Sequence, residues 1–324
     1  MSEAELDRVG LVAIGRNEGE RLRACLSSVV GRLSHIVYVD SGSTDGSVQM
    51  AQAMGVHVIS LDMSVPFTAA RARNAGWRAL LNSAPNLEFV QFVDGDCVVA
   101  DGWLLKAQRF LRQHPSHAVV CGRRRERFPE RSIYNRLCDI EWDTPVGDAQ
   151  SCGGDALMRV NALQQAGGYR DDLIAGEEPE LCVRLRQAGW RIHRLDAEMT
   201  LHDAAMFRFA QWWSRSKRAG HAFADGAWLH GAPPERHWVR EAARAVGWGG
   251  VLPMAVLLAL SSGQLLGLVL LLAYPLQMIR MRKVPGGWPS AFFLVLGKFP
   301  EFFGVMQWAS SRIRRTRSGL IEYK

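Results

Sequence analysis

Apolar and polar residues alternate along the N-terminal part of the chain in two different rhythms. Residues 9–14 form a short apolar run, Gly15-Arg16-Asn17-Glu18 interrupts it, and residues 21–30 carry apolar side chains at helical spacing, a strand, loop and helix in succession. A β-branched run over 35–39 ends at Asp40, and the turn-forming stretch 41–47 opens a helix over 48–54. A strand over 56–59, a helix over 69–81 and a strand over 88–93 follow, the last ending on Asp94-Gly95-Asp96. Further strands are predicted over 119–127 and 152–159, helices over 161–166 and 177–188, and a helix rich in aromatic and basic residues over 207–220. Strands alternating with helices predict an α/β fold, with a mainly parallel sheet covered on both faces and ligands at the carboxyl ends of its strands. Asp40 and Asp94 fall at such ends.

The rhythm changes in the last quarter. Residues 245–279 hold 35 positions without a charge, between Arg244 and Arg280, more than the ~20 residues that cross a bilayer. Ser261-Ser262-Gly263-Gln264 divides the run into halves of about fifteen residues, with Pro253 and Pro275 near its ends. A helical hairpin that enters a membrane and returns on the same side fits this division, as does a buried helix pair in a soluble protein. Residues 288–308 are apolar but interrupted by Lys298 and Glu301, which predicts an amphipathic helix over about 288–311 lying at an interface. The expected organisation is therefore a catalytic domain over 1–230 and a membrane-associated helical region over 231–324.

Charge narrows the function classes. A net charge of +7 and a pI near 9.3 suit nucleic acid, a phosphate-rich substrate or an anionic membrane. Residues 280–324 carry nine Lys or Arg against Glu301 and Glu322, directly after the most apolar stretch, which favours anionic lipids as partners. A single crossing would carry that basic tail outward, against the positive-inside tendency. Arg123-Arg124-Arg125 is too short a basic run to support a nucleic-acid partner. Glu3, Glu5, Asp7 and Arg8 precede the first apolar run, unlike a signal peptide, so the expected location is the inner (plasma) membrane with the catalytic domain in the cytoplasm. Six cysteines, at 25, 97, 121, 138, 152 and 182, form no C-x-x-C pair and read as buried thiols in a reducing compartment.

Asp94-Gly95-Asp96 follows the apolar Phe89, Val90, Phe92 and Val93, so its carboxylates emerge at the sheet edge. Two carboxylates one residue apart can share a divalent cation, Mn2+ or Mg2+, that holds phosphate oxygens, although Asp-Gly pairs also make plain turns. The triplet does not stand alone. Ile14-Gly15-Arg16-Asn17-Glu18, the segment 37–47 from Val37 through Asp40 to Ser47, and Ala70-Arg71-Ala72-Arg73-Asn74-Ala75-Gly76 precede it. Together these resemble, in order and spacing, the family 2 glycosyltransferases of GT-A fold. Cys152-Gly153-Gly154-Asp155 and Gly176-Glu177-Glu178-Pro179-Glu180-Leu181 are similar to that family's acceptor-side glycines and its Glu-Asp motif. The likeness covers about residues 9–202.

The resemblance implies inverting transfer of one sugar from a UDP- or GDP-linked donor to a membrane-associated, lipid-linked glycan, with a divalent metal. It implies donor contacts at Gly15, Asn17, Glu18, Asp40, Arg73, Asn74, Asp94 and Gly95. Among these, Asp40 would accept from the base, although it could also be a turn aspartate, and Arg73 and Asn74 would lie near the diphosphate. Asp96 and Asp94 would hold the metal, and Gly153, Gly154, Asp155 and Glu177 would line the acceptor side. Glu178 stands where the family's catalytic base, normally aspartate, takes the proton of the attacking hydroxyl; Glu180 is a rival carboxylate that also suits a helix N-terminus. His202 stands where some relatives place a third metal ligand, with a structural role as its alternative, while His193 and His221 read as structural.

Gln211-Trp212-Trp213-Ser214-Arg215 is similar to the Gln-x-x-Arg-Trp box of processive polysaccharide synthases, but its arginine and tryptophan are out of place. A helix with Trp212, Trp213, Arg215, Lys217 and Arg218 at headgroup depth, or a packed core helix, is the reading here. A processive synthase of the same fold would need more membrane spans. A membrane-tethered nucleotide- or carbohydrate-binding module without catalysis would be expected to lack Asp94, Asp96 or Glu178, and all three are present.

Overall fold

The computed structural model describes residues 6–314. They divide into two compact units: one takes the chain up to Pro129 with Glu141–Leu173 and Glu177–Ala205, and the other takes Glu130–Ile140, Ile174–Gly176 and the chain from Met206 onward. The first begins β1 (Val9–Gly15), α1 (Glu20–Ser27), β2 (His35–Asp40), α2 (Ser47–Ala53), β3 (His57–Ser60), α3 (Ala69–Ser83) and β4 (Phe89–Asp94). It continues through β5 (Cys97–Val99), α4 (Trp103–Gln113) and β6 (His117–Glu126). After α5 (Ile133–Glu141), it resumes with β7 (Gly147–Ala149), β8 (Ala156–Arg159), α6 (Val160–Gln165), α7 (Glu177–Gln187) and β9 (Arg191–His202).

β1 and β4 are covered on both faces, with Val9, Leu11, Val12, Phe89, Val90, Phe92 and Val93 all buried, which is why they read as continuous apolar runs. β1 pairs in parallel with β2 and β4, and β2 with β3. The sheet runs β3-β2-β1-β4-β8-β6-β9-β5, with β7 on β9. The chain leaves β1 toward β3 and returns on the other side at β4, so the crevice at the carboxyl ends of β1 and β4 is the switch point where α/β folds bind ligands. Beyond β4 the sheet is mixed: β8 is antiparallel to β4 and β6, and β9 is parallel to β6 but antiparallel to β5 and β7. The mainly parallel arrangement thus holds for the half in which the sequence alternates strand and helix. The strand expected over 152–159 begins only at Ala156, because Gly153-Gly154 form a bare approach to the switch point.

The second unit is helical, with α8 (Phe209–His230), α9 (Val239–Val246), α10 (Leu252–Ser261), α11 (Leu266–Leu271), α12 (Ala273–Met281), α13 (Gly287–Leu296) and α14 (Lys298–Ile313). α9 runs through a π-turn at Gly247–Val251 into α10, giving a 23-residue helix Val239–Ser261 whose most apolar 18 residues have a mean hydropathy of 1.6. Among the described residues this is the one helix long and apolar enough to cross a membrane. Gly263, at φ 73°, breaks the helix where the sequence places its polar interruption. The chain then doubles back: the Tyr274 hydroxyl donates to the Trp248 carbonyl at 2.9 Å. Val251, Met254, Leu257, Leu258, Leu265 and Leu276 of this hairpin are all exposed, Leu265 at 76%.

Residues 288–311 form two helices meeting at Gly297, where one amphipathic helix was expected. α14 spends one face on α8. A Cβ at Gly220 would lie 1.9 Å from the Glu301 carbonyl oxygen and one at Gly304 2.0 Å from that of Lys217, so only glycines permit this approach. Trp308 donates to Asp225 at 3.0 Å across the same pair, and Lys298 and Glu301, the charges interrupting the apolar run, pair at 2.6 Å. The rest of the basic tail, Arg315, Arg317 and Lys324, lies outside the described residues.

Candidate active site

Three loops meet at the switch point. The β1 loop is tied to the β2 loop: the Asn17 backbone N–H donates to Ser43 Oγ at 2.8 Å, and Asn17 Oδ1 accepts from the Thr44 N–H at 2.8 Å. Asp40 is buried at the end of β2, where Oδ2 accepts from the Gly42 and Ser43 N–H groups, both at 2.9 Å, and Oδ1 accepts from the Tyr38 hydroxyl at 3.0 Å. Both readings of Asp40 therefore survive, since Oδ2 spends both of its lone pairs on the turn while Oδ1, bonded to Tyr38, keeps a second one. Burial and Asp40 push the Tyr38 phenol upward, so it stays a donor. Gly15 and Gly95 close the floor, with the Gly95 N–H donating to the Ile14 carbonyl at 2.7 Å. Glu18, expected among the donor contacts, pairs with Arg21 at 2.8 Å.

Arg73 on α3 is the hub. Its side chain is 3% exposed and meets Glu177 Oε1 at 2.8 Å and Glu178 Oε1 at 2.7 Å through Nη1, and Asp94 Oδ1 at 2.8 Å through Nη2. Arg124, on β6, approaches Asp94 Oδ2 at 3.2 Å and Asp155 Oδ2 at 3.6 Å and lies over the Trp142 ring. Asp155 accepts from the Asp94 N–H at 3.1 Å and from the Thr200 hydroxyl at 2.6 Å, pinning the end of β4 to β9. Gly154 is required by this packing: its Cβ would lie 2.7 Å from Arg73 Nη2 and 3.1 Å from Asp94 Oδ2. Nothing lies within 4 Å of a Cβ built at Gly153.

The two aspartates of the triplet serve different neighbours. Asp94 belongs to the arginines, whereas Asp96 Oδ2 faces His202 Nε2 at 3.3 Å, both buried. Behind it, Glu126 Oε2 lies 3.6 Å from His202 Nδ1 and the Trp142 ring packs edge-on against the imidazole. Burial and then Arg124 lower the His202 pKa, keeping a nitrogen lone pair available beside a carboxylate. Asp96, Cys97 and His202 bring ligand atoms within 4.8 Å of one another. The carboxylate and imidazole of this group suit Mn2+, while its third member, Cys97, offers a thiol sulfur. Cys25 and Cys97, beneath it, are buried thiols whose pKa values burial pushes up.

Glu178 and Glu180 both occupy the first turn of α7, but only Glu178 reaches this cluster. Glu180 is gripped by Arg184, with contacts of 2.9, 3.0 and 2.7 Å, and Arg184 also donates to the Gly168 carbonyl at 2.8 Å. Burial, opposed by Arg73 and reinforced by Glu177 and Asp94, raises Glu178 to about 7. Asn74, expected near a diphosphate, uses all four hydrogen-bonding positions on the protein: it donates to the Tyr169 carbonyl and Asp171, and accepts from the Tyr169 N–H and Trp77. It clamps the turn before α7. Arg124, Glu126, Trp142 and Thr200 were not found from sequence. Arg124 sat inside a three-arginine run whose strand phase could be seen, but none of its partners is local.

Residues 12–160 match the family described as Glycosyl transferase family 2. Curated relatives include the Pre-mycofactocin glycosyltransferase of Mycobacterium tuberculosis, 25% identical over 264 residues, 76% of this chain and 52% of that one. The Succinoglycan biosynthesis protein ExoA of Rhizobium meliloti is 24% identical over 192 residues, 55% of each chain. The chain thus spans about half the length of the curated relatives it matches. Among solved structures, the mannosyltransferase PcManGT from Pyrobaculum calidifontis in complex with GDP-Man and Mn2+ is 20% identical with a TM-score of 0.66, covering 93% of this chain and 87% of that one. Residues 1–349 of S. aureus TarS in complex with UDP-GlcNAc are 14% identical with a TM-score of 0.51, covering 95% and 92%. At these identities the likeness establishes a shared fold.

Proposed function

We propose that this chain, a member of glycosyl transferase family 2 through its residues 12–160, moves one sugar from a nucleotide-diphosphate sugar to a membrane-associated, lipid-linked glycan with inversion at the anomeric carbon. The observation that carries the reading is the division of the switch-point crevice into two poles around Asp94: Asp96 with His202 on one side, Arg73 with Glu177 and Glu178 on the other. Asp96, His202 and Asp94 would hold a divalent metal, which supplies positive charge to the leaving diphosphate. Glu178 takes the proton from the acceptor hydroxyl as that oxygen attacks; a carboxylate poised near neutrality suits this work. Arg73 keeps Glu178 in place and shares its own charge with Glu177 and Asp94. Asp40 and the Asn17–Ser43 tie offer acceptors and a rigid wall for the base and ribose at the ends of β1 and β2. Solved relatives of the same fold carrying GDP-Man and UDP-GlcNAc support a nucleotide-sugar donor.

A panel of nucleotide sugars assayed by thermal shift with Mn2+ tests the donor class. One UDP- or GDP-sugar at a hundred times its Kd stabilises the fold by about 2.7 kcal/mol, visible as a rise in Tm of a few degrees. A flat response across the panel with the metal present would contradict the reading.

The exposed apolar hairpin supports a membrane-bound acceptor, because so large an apolar surface on a water-soluble chain is an association site. Although the whole helix Val239–Ser261 has the length to cross, its uncharged part, 245–261, is about 25 Å long at 1.5 Å per residue, short of the ~30 Å hydrocarbon core, and the chain doubles back beyond Gly263, so a shallow re-entrant hairpin on the cytoplasmic face of the inner membrane is the topology proposed. A reporter fused at Val284 is then cytoplasmic; a signal from the opposite side would require a crossing helix.

A further inference from the structure

We propose that the first unit carries a second metal site, a structural Zn2+ bound by His117, Asp148 and His193 at the amino-terminal edge of the sheet. His117 opens β6, Asp148 sits on the three-residue strand β7, and His193 faces it from β9 in the pairing register. One carboxylate oxygen, Asp148 Oδ1, lies 3.3 Å from His193 Nδ1 and 3.6 Å from His117 Nε2, and all three ligand atoms lie within 4.8 Å of one another. In a tetrahedral site with metal–ligand bonds of about 2.0 to 2.2 Å, neighbouring ligand atoms stand about 3.4 Å apart. Two edges of such a tetrahedron are already present.

The second observation is an imidazole nitrogen without a hydrogen bond. His117 is 4% exposed, and its Nε2, aimed at Asp148, has no hydrogen-bond partner; a buried polar atom in that condition calls for a ligand. The surrounding groups orient the set as outer partners orient metal ligands. Ser116 Oγ lies 3.4 Å from His117 Nδ1, leaving Nε2 to carry the lone pair when Nδ1 donates. Arg191 pairs with the other Asp148 oxygen, Oδ2, and Phe110 stacks on His193 with ring centroids 4.5 Å apart. Asp148 and His193 are partly open to solvent, so water completes the coordination. Two imidazoles with one carboxylate suit zinc among the divalent metals.

The site is separate from the sugar-transfer crevice. His117 and Glu126 mark opposite ends of β6, about 30 Å apart at ~3.3 Å per residue, and Glu126 is the residue beside His202. The ion would staple the three-residue strand β7 to β9 and β6.

The test uses the full chain without a polyhistidine tag and with Asp96→Ala, so that the crevice loses the carboxylate that faces His202. Equilibrium dialysis against Zn2+ should find one ion per chain with a Kd of about 10 µM or tighter, and zinc should raise Tm. Adding Asp148→Ala or His193→Ala should weaken binding by about tenfold or more, in line with the loss of a ligand or its support, and abolish the zinc-dependent rise in Tm. Circular dichroism confirms that these surface-edge variants fold. No bound zinc in the Asp96→Ala parent, or equal zinc affinity in parent and variants, overturns the proposal.

Discussion

Glu178→Gln should lower kcat for sugar transfer by about a thousandfold while donor affinity stays within a few fold. Loss of a general base costs roughly 10²- to 10⁴-fold, and a thousandfold is about 4 kcal/mol of barrier. The amide keeps the shape of the side chain beside Arg73, whose guanidinium retains Glu177 and Asp94, so the donor side of the crevice is preserved. The same substitution alters stability in a defined window. The folded-state pKa of Glu178 is raised from 4.5 to about 7, chiefly by burial, so between those values the native chain holds a proton that the unfolded chain has released. Its contribution to stability is present below about 4.5 and is lost as pH rises through about 7. The glutamine variant should lose that decline. A normal kcat with a collapsed donor affinity would make Glu178 a binding residue.

Asp96→Ala should reduce kcat/KM by a similar factor, for a different reason. It removes the carboxylate facing His202 Nε2, and with it one of the two carboxylates that would hold the metal. Excess EDTA should silence the wild-type chain to the same extent, with Mn2+ restoring it but not the variant. Steady-state kinetics with and without chelator make the comparison, and circular dichroism checks the fold. Full wild-type turnover in EDTA would mean that Arg73 and Arg124 neutralise the diphosphate without a metal.

The parallel half of the sheet was legible because burial on both faces leaves uninterrupted apolar runs: β1, β2 and β4 emerge with bounds within a residue or two. β9 was not, because its twelve residues include Arg191, Arg194, Asp196 and Glu198. Two of these charges are met across strands, Glu198 by Arg125 at 2.8 Å and Arg191 by Asp148, and cross-strand partners leave no periodic trace. β7, three residues long with a glycine and an aspartate, carries no strand signal at all.

The same contrast runs through the crevice. Motif order located Asp94, Asp96, Arg73 and Glu178, which the fold brings together, and it singled out His202, which faces Asp96. It favoured Glu178 by motif position and kept Glu180 as a rival, since both are acidic residues in one helical turn; what the sequence did not show is that Arg184, one turn further along, claims Glu180. Nor could it see that Asn74 faces the loop at Tyr169, or that Arg124 bridges Asp94 and Asp155. In the helical unit the apolar stretch over about 288–311 was visible, while the partner of its second half was not, because the glycines at 220 and 304 mark a close approach only once the two helices are side by side.

The pH dependence of kcat/KM for the acceptor, measured with saturating Mn2+ and donor, bears most directly on Glu178 as the base of a metal-dependent transfer. That ratio reports groups of the enzyme before the acceptor binds. The wild-type rate should rise with pH as Glu178 deprotonates, with a limb near the value of about 7 set by its burial, and the limb should vanish in the residual activity of Glu178→Gln. A profile that is flat from pH 5 to about 9 in wild type, or a limb that persists unchanged in the glutamine variant, would contradict the account.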